Sequence, residues 1–449
     1  MIIDYGISTV GKSHIKKGTC CQDSHYIKKL QNGWYIAAVA DGVGSAKNSH
    51  IGSKIAAETV VEFCDECMPW DYNVISIKSM MRTAYNYAYK QILRESEQSG
   101  EPIESYDTTL SMVIYDGQRI IYGHSGDGAI FGLTTFGDYV EITRPQKSAD
   151  GVSVIPLRAG YTQWVIDTYE EDLAAVLLMT DGMLETLCHY LLRDHERKAN
   201  NAYAPLASYF ADPYGFSEEK IDCVRKLIAK FVIADESYNA DEFYERLLSI
   251  YKKRALDEAD EIIDTLKKSN YPVNLMQAEQ DDKTIVGLIN TDLTVDDKEA
   301  AYYSEPNWAE LQEAWNRKAY PHLYAKKEDG EARSDSVQNT ETAENDDAQN
   351  SGNNTTVKSD APPQTTNNPQ KKASEDDAFD DVLLIFEKRE TPPKNNNALE
   401  TSSAGGPTTA PPRGATAPTA TREPEPQVKP KHEKPRKKGI LGKIEDLFD

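Results

Sequence analysis

Five aspartates at wide spacing are the residues best placed to do chemistry. They are Asp23 in Cys21-Gln22-Asp23-Ser24, Asp41 in Ala40-Asp41-Gly42-Val43-Gly44, Asp127 in Ser125-Gly126-Asp127-Gly128, Asp181 in Thr180-Asp181-Gly182-Met183, and Asp281 in Gln280-Asp281-Asp282-Lys283-Thr284. The four from Asp41 onward sit at the end of an apolar run or just before one. A carboxylate at a strand end, with glycine beside it, aims a hard oxygen ligand from a rigid support. Three or four such groups converging on one point would hold two divalent ions and activate water on a phosphate. Oxygen-only ligation favours magnesium or manganese over zinc. A single Asp-Gly carries little, because that pair most often just makes a turn. The order and context of the whole set give the expectation its weight.

The elements that must position these groups are legible as apolar runs. Gly33 to Ala40 reads as a buried strand that stops at Asp41-Gly42. Ile51 to Cys67 and Met80 to Glu97 have helical periodicity. Thr108 to Tyr115 and Arg119 to His124 read as a hairpin around Asp116-Gly117-Gln118, and Ala129 to Thr134 with Tyr139 to Thr143 as a second around Gly137-Asp138. Leu173 to Thr180 is a further strand ending at Asp181, and Thr284 to Asn290 is the last. Glu185 to Tyr271 reads as mostly helical, with Asp241 to Lys268 as one long helix and Val224 to Val232 as a shorter one. Hairpin strands with helices in blocks predict an α+β fold layered on antiparallel sheets.

The chain has 449 residues and a formal net charge of −23. Residues 1–292 have the composition of a folded domain, with a helical insert at about 188–272; residues 293–325 read as an extension packing back through a helix at Asn307 to Tyr324. In residues 326–449 Asn, Thr, Pro, Ser, Asp and Glu dominate. Such a stretch buries too little apolar surface to offset its chain entropy and is expected to be a disordered tail. Two apolar islands interrupt it, at 379–386 and at 439–449, the second just after a basic stretch; each is a candidate for docking a protein partner, and the second also suits a membrane surface. The acidic balance argues against nucleic-acid binding. The N-terminus lacks the pattern of a signal peptide, no apolar run approaches a membrane span, and six cysteines are few for the length, so a cytoplasmic protein is expected. Cys64 and Cys67 form a lone CxxC with no second ligand pair, and read as two helix residues facing the core.

The order of the motifs resembles that of the metal-dependent serine/threonine protein phosphatases of the 2C type, the PPM family, and is close to a bacterial branch. Gln22-Asp23, Val39-Ala40-Asp41-Gly42-Val43-Gly44, Tyr106-Asp107-Thr108-Thr109-Leu110, Gly123-His124-Ser125-Gly126-Asp127-Gly128, Leu178-Met179-Thr180-Asp181-Gly182 and Asp281-Asp282-Lys283-Thr284 carry the likeness, between Gly6 and about Leu288. The resemblance implies two antiparallel sheets packed as a sandwich between pairs of helices (αββα). It implies that Asp41 bridges two Mn2+ or Mg2+ ions, with the Gly42 carbonyl on one of them, and that Asp181 and Asp281 complete the other site. Asp23 would orient the attacking water, and Asp127 and Glu185 would hold a third, weaker ion. The implied reaction is direct attack of metal-activated water on phosphoserine or phosphothreonine of a protein substrate, opposing a cognate serine/threonine kinase.

Departures from the family pattern are as informative. Gln22 stands where Glu is frequent, Val43 where animal members carry a His that acts as general acid, and Asp282 where Asn is usual. No Arg matches the family's phosphate-binding one; Lys16, Lys17 and His14 are the candidates for that contact. The strand register favours Asp281 over Asp282 as the ligand. An alternative function is a weakly active or inactive domain of the same fold that recruits partners through its insert and tail. Leu-Met-Thr-Asp-Gly also suggests a haloacid-dehalogenase-type phosphatase, but that chemistry needs an Asp at position 179, which is Met.

Overall fold

A computed structural model describes residues 1–149, 151–216, 240–270 and 280–324. The helix expected at Val224 to Val232 and the whole tail with its two apolar islands lie outside the described residues.

Among the described residues, ten strands form two five-stranded antiparallel sheets. The first has the order β1 (Ile2–Thr9), β10 (Lys283–Asn290), β9 (Leu173–Met179), β6 (Ala129–Thr134), β7 (Tyr139–Glu141). The second has β2 (Ser24–Lys29), β3 (Tyr35–Ala40), β4 (Leu110–Tyr115), β5 (Ile120–Ser125), β8 (Val165–Tyr169). The central strands β3, β4, β6 and β9 are buried along their whole length, as strands covered on both faces must be. Alternate residues serve different layers. Tyr35, Ala37, Val39, Val113 and Tyr115 of the second sheet meet Ile130, Val176, Leu178, Val286 and Leu288 of the first in an apolar layer between the sheets.

Helices cover the outer faces. The helices α2 (Ser49–Glu66) and α3 (Val74–Ser99) lie on the second sheet. On the first, Phe131, Leu177, Met179 and Ile285 pack into a cluster with α4 (Asp181–Leu187), α5 (Ala204–Ala211), α6 (Asp241–Lys253) and α7 (Ala259–Ser269). The α+β sandwich between helical layers is therefore the fold, and part of the stretch read as an insert supplies one of those layers. A short helix α1 (Lys12–Lys17) follows β1, and α8 (Trp308–Ala319) follows the core.

One expectation is corrected. Asp241 to Lys268 is two helices, broken at Arg254 and Ala255, where Ala255 has φ of +57°. The break lets Arg254 turn inward. Its Nε donates to Asp212 Oδ2 at 2.5 Å and Nη1 to Asp297 Oδ1 at 3.0 Å, with the guanidinium buried between the Tyr214 and Tyr303 rings. In the helix α8, Trp308 lies against Tyr203 and His189, and Trp315 against Tyr190. Glu305 ties the extension down by accepting from Ser269 Oγ, Trp308 Nε1 and Tyr203 Oη. Cys64 is buried and Cys67 caps the end of α2; both thiols are free.

Candidate metal centre

The ends of strands from both sheets meet at one cleft. It is lined by Asp41 after β3, Asp127 before β6, Asp181 after β9, and Asp281 and Asp282 before β10, together with His14 and Gln22. Side-chain oxygens of Asp41, Asp127 and Asp181 lie within 4.8 Å of one another. Among the described residues this is the group able to hold a metal ion.

Close backbone packing makes the convergence possible. A Cβ on Gly42 would lie 2.7 Å from the Gln22 carbonyl oxygen and 2.8 Å from Ser49. One on Gly182 would lie 2.2 Å from the Asp282 carbonyl oxygen. The glycine beside each aspartate is thus a packing requirement between strand ends, more than a turn signal. Asp41 itself is pinned through its backbone: its N–H donates to Thr109 Oγ1 at 2.9 Å, and its carbonyl accepts from Thr109 N and Thr108 Oγ1, both at 2.8 Å.

Asp23 is buried and lies beside the cluster, with Thr180 Oγ1 donating to its Oδ2 at 2.8 Å. Thr180 in turn accepts from Thr284 N at 3.1 Å, so one hydroxyl joins the loops before β2, after β9 and at β10. In the sequence Thr180 stood out only for its place next to Asp181, and Thr284 only as the end of the Asp281-Asp282-Lys283-Thr284 motif and the start of the last strand.

Asp281 and Asp282 divide their roles. Asp282 is 3% exposed and both of its oxygens are used: Oδ1 accepts from Gly11 N at 2.7 Å and Oδ2 from Gln22 N at 2.6 Å. His14 Nδ1 lies 2.9 Å from the same Oδ1. Asp281 stays open to the cleft, held by the Asp282 N–H to its Oδ1 at 2.9 Å. The other expected groups are placed less centrally. Glu185 is exposed on α4 and does not line the cleft. Lys16 and Lys17 are exposed on α1, away from it; of the three phosphate-contact candidates only His14 faces in.

The cluster is electrostatically unsatisfied. Burial, with the charges of Asp23 and Asp181, pushes the Asp41 carboxyl well above the usual range. Burial and the charges of Asp282 and Asp181 raise Asp23 to about 8, against the pull of the Thr180 hydrogen bond. Burial and Asp181 raise Asp127 to about 6, and burial followed by the charge of Asp181 raises Asp281. Gln22 adds a buried, unpartnered Oε1 at the wall. Lys147 acts against the shift at Asp127 and His14 against that at Asp281, yet both carboxyls stay raised; convergent hard oxygens crowded in this way suit a divalent cation.

The protein-family model described as Protein phosphatase 2C matches residues 10–229. No curated protein matches the chain. Similar solved structures include a serine/threonine phosphatase from Staphylococcus aureus, 12% identical, covering 64% of this chain and 95% of its own, with a TM-score of 0.36. The S. agalactiae serine/threonine phosphatase is 13% identical, with coverage of 66% and 100% and a TM-score of 0.37. The catalytic domain of the serine/threonine protein phosphatase PstP, solved with two manganese ions, is 15% identical, with coverage of 64% and 97% and a TM-score of 0.35. No activity is carried across at such identities. The match of the family model, running from the turn before α1 through the motifs of Asp23, Asp41, Asp127 and Asp181, assigns residues 10–229 to the protein phosphatase 2C (PPM) family.

Proposed function

We propose that the chain is a protein phosphatase that hydrolyses phosphoserine and phosphothreonine at a divalent-metal centre and opposes a serine/threonine kinase. The convergence of Asp41, Asp127 and Asp181 within ligand reach, in a domain of this family, is the observation that supports it most. Asp41, the Gly42 carbonyl, Asp181 and Asp281 would hold the ions, with Asp41 shared between them. Ligand oxygens of Asp127, Asp41 and Asp181 all lie within 4.8 Å of one another, so we assign Asp127 to the main cluster rather than to an outlying third site. Glu185 would reach that third site only by a change of rotamer or through water. When bound, manganese or magnesium would supply the charge that acidifies water and offsets the phosphoryl oxygens. Asp23 would accept a hydrogen bond from the attacking water while Thr180 fixes one of its oxygens.

The test is turnover of a phosphothreonine peptide with manganese, with EDTA, and in Asp41→Asn. We expect hydrolysis that EDTA abolishes and that the substitution lowers by about 100-fold or more. Absence of turnover, together with absence of metal binding by calorimetry, would favour a binding module that recruits partners through its helical layer and tail.

A further inference from the structure

Breaking a phosphoserine ester expels an alkoxide, which is a poor leaving group unless a proton reaches its oxygen as the bond breaks. Val43 offers no such proton. Of the carboxylates of the cleft, Asp41, Asp127, Asp181 and Asp281 are given to cations in the function proposed above, and both oxygens of Asp282 accept backbone N–H groups. Among the described residues that line the cleft, His14 is the one ionisable side chain that is not a carboxylate.

Its surroundings are built to hold it there. His14 lies on α1, whose first turn is tied to the strand-end loops by Ser13 N donating to the Gln280 carbonyl at 2.9 Å and by Gly11 N donating to Asp282. Its Nδ1 is closed to solvent and lies 2.9 Å from Asp282 Oδ1, within reach but outside hydrogen-bond geometry. Catalytic hydrogen bonds commonly align and tighten only when substrate is bound. With Nδ1 turned to a carboxylate, Nε2 is the ring atom left to carry a proton toward the cleft. Asp282 cannot itself be freed for a metal without releasing Gly11 N and Gln22 N, which occupy both of its oxygens.

We propose that His14 is a catalytic residue, the proton donor to the leaving seryl or threonyl oxygen, and that Asp282 is the positioning residue that orients it. This rests on the phosphatase function proposed above. In the step, a lone pair of the attacking water oxygen forms the new P–O bond. The ester P–O bond breaks and its electron pair goes to the side-chain oxygen, which takes the proton from His14 Nε2. The proton lost by the water returns to the imidazole through solvent, so the products are the free alcohol and inorganic phosphate.

Leaving-group dependence tests this. Wild type, His14→Gln and His14→Ala are compared in manganese on a phosphothreonine peptide and on p-nitrophenyl phosphate, whose nitrophenolate leaves without a proton. We expect kcat on the peptide to fall by about 100-fold or more, and kcat on p-nitrophenyl phosphate to change by less than about threefold. Manganese affinity by calorimetry and the melting temperature should stay as in wild type. Equal losses on both substrates, a rise in KM alone, or weakened manganese binding would overturn the proposal and make His14 a phosphate contact or a structural residue. Unchanged turnover of both would also overturn it. If wild type hydrolyses neither substrate, the phosphatase function itself fails, and this proposal with it.

Discussion

At the scale of single residues, the adjacent pair Asp281-Asp282 shows how chemically identical side chains acquire different roles. The difference lies in who donates to them. Both oxygens of Asp282 accept backbone N–H groups, from Gly11 and Gln22, whereas Asp281 is left facing the cleft. An Asn at 282 would keep one acceptor and turn an NH2 group against a buried N–H. Asp282→Asn is therefore expected to cost about 1–3 kcal/mol in denaturant unfolding of the metal-free protein. Asp281→Asn leaves every backbone partner of 282 in place. It should weaken manganese binding by calorimetry and leave the metal-free unfolding midpoint nearly unchanged. A reversal of these two profiles would exchange the roles.

Among the elements, the helical layer over the first sheet depends on one buried ion pair. Arg254 and Asp212 are 1% and 0% exposed at their side chains, and the pair is what α6 ends on. Burial raises the Asp212 carboxyl, with the Arg254 charge opposing it, so the guanidinium is what keeps that site tolerable. Removing Asp212 leaves the buried guanidinium with only the half-exposed Asp297 as counter-charge. Asp212→Ala is expected to destabilise the fold by about 3–5 kcal/mol, read from the shift in urea midpoint. The double replacement Asp212→Ala with Arg254→Met should recover a large part of that loss. A double variant as unstable as the single one would mean that packing of the Arg254 stem between Tyr214 and Tyr303, and not charge, dominates.

For the whole molecule, the acidic cleft sets a pH dependence whose sign is fixed by the direction of its shifts. Asp23 is raised to about 8 and Asp127 to about 6, while an unfolded chain has ordinary carboxylates near about 4. The folded metal-free protein holds protons that the unfolded chain has released, so this stabilisation is complete below about pH 4 and disappears as pH rises through 6 and 8. Buried His124 works the opposite way. It is held down at about 4 by burial, with Ser111 and the Arg144 carbonyl on its two nitrogens, and it costs stability as pH falls below about 6.5. The clean window is therefore above pH 6.5. In EDTA the melting temperature should fall between pH 6.5 and 8. In excess manganese it should hold or rise, because the cation takes the place of the protons. Parallel curves with and without manganese would mean that the ion does not enter this cluster.

The sequence by itself determined the strands that are buried on both faces, since long apolar runs leave a short segment few other solutions. Leu173 to Thr180 and Ala129 to Thr134 were legible almost to the residue, and the strand-end placement of Asp41, Asp127 and Asp181 followed from them. The edge strands β1, β2 and β8 and the helix α1 were not legible. They are half-exposed, with weak periodicity, and are fixed by partners distant in the chain, as in the pairing of Ile2 with Asn290. The break at Arg254 was hidden for the same reason: its cause is Asp212, in another helical segment. Tertiary structure alone decided that Asp127 comes within 4.8 Å of Asp41 and Asp181, that Glu185 and the lysines of α1 do not line the cleft, and that His14 does, beside Asp282. Each of those outcomes depends on which backbone N–H groups and strand ends meet in space, and a one-dimensional pattern of residue types carries no distances between them.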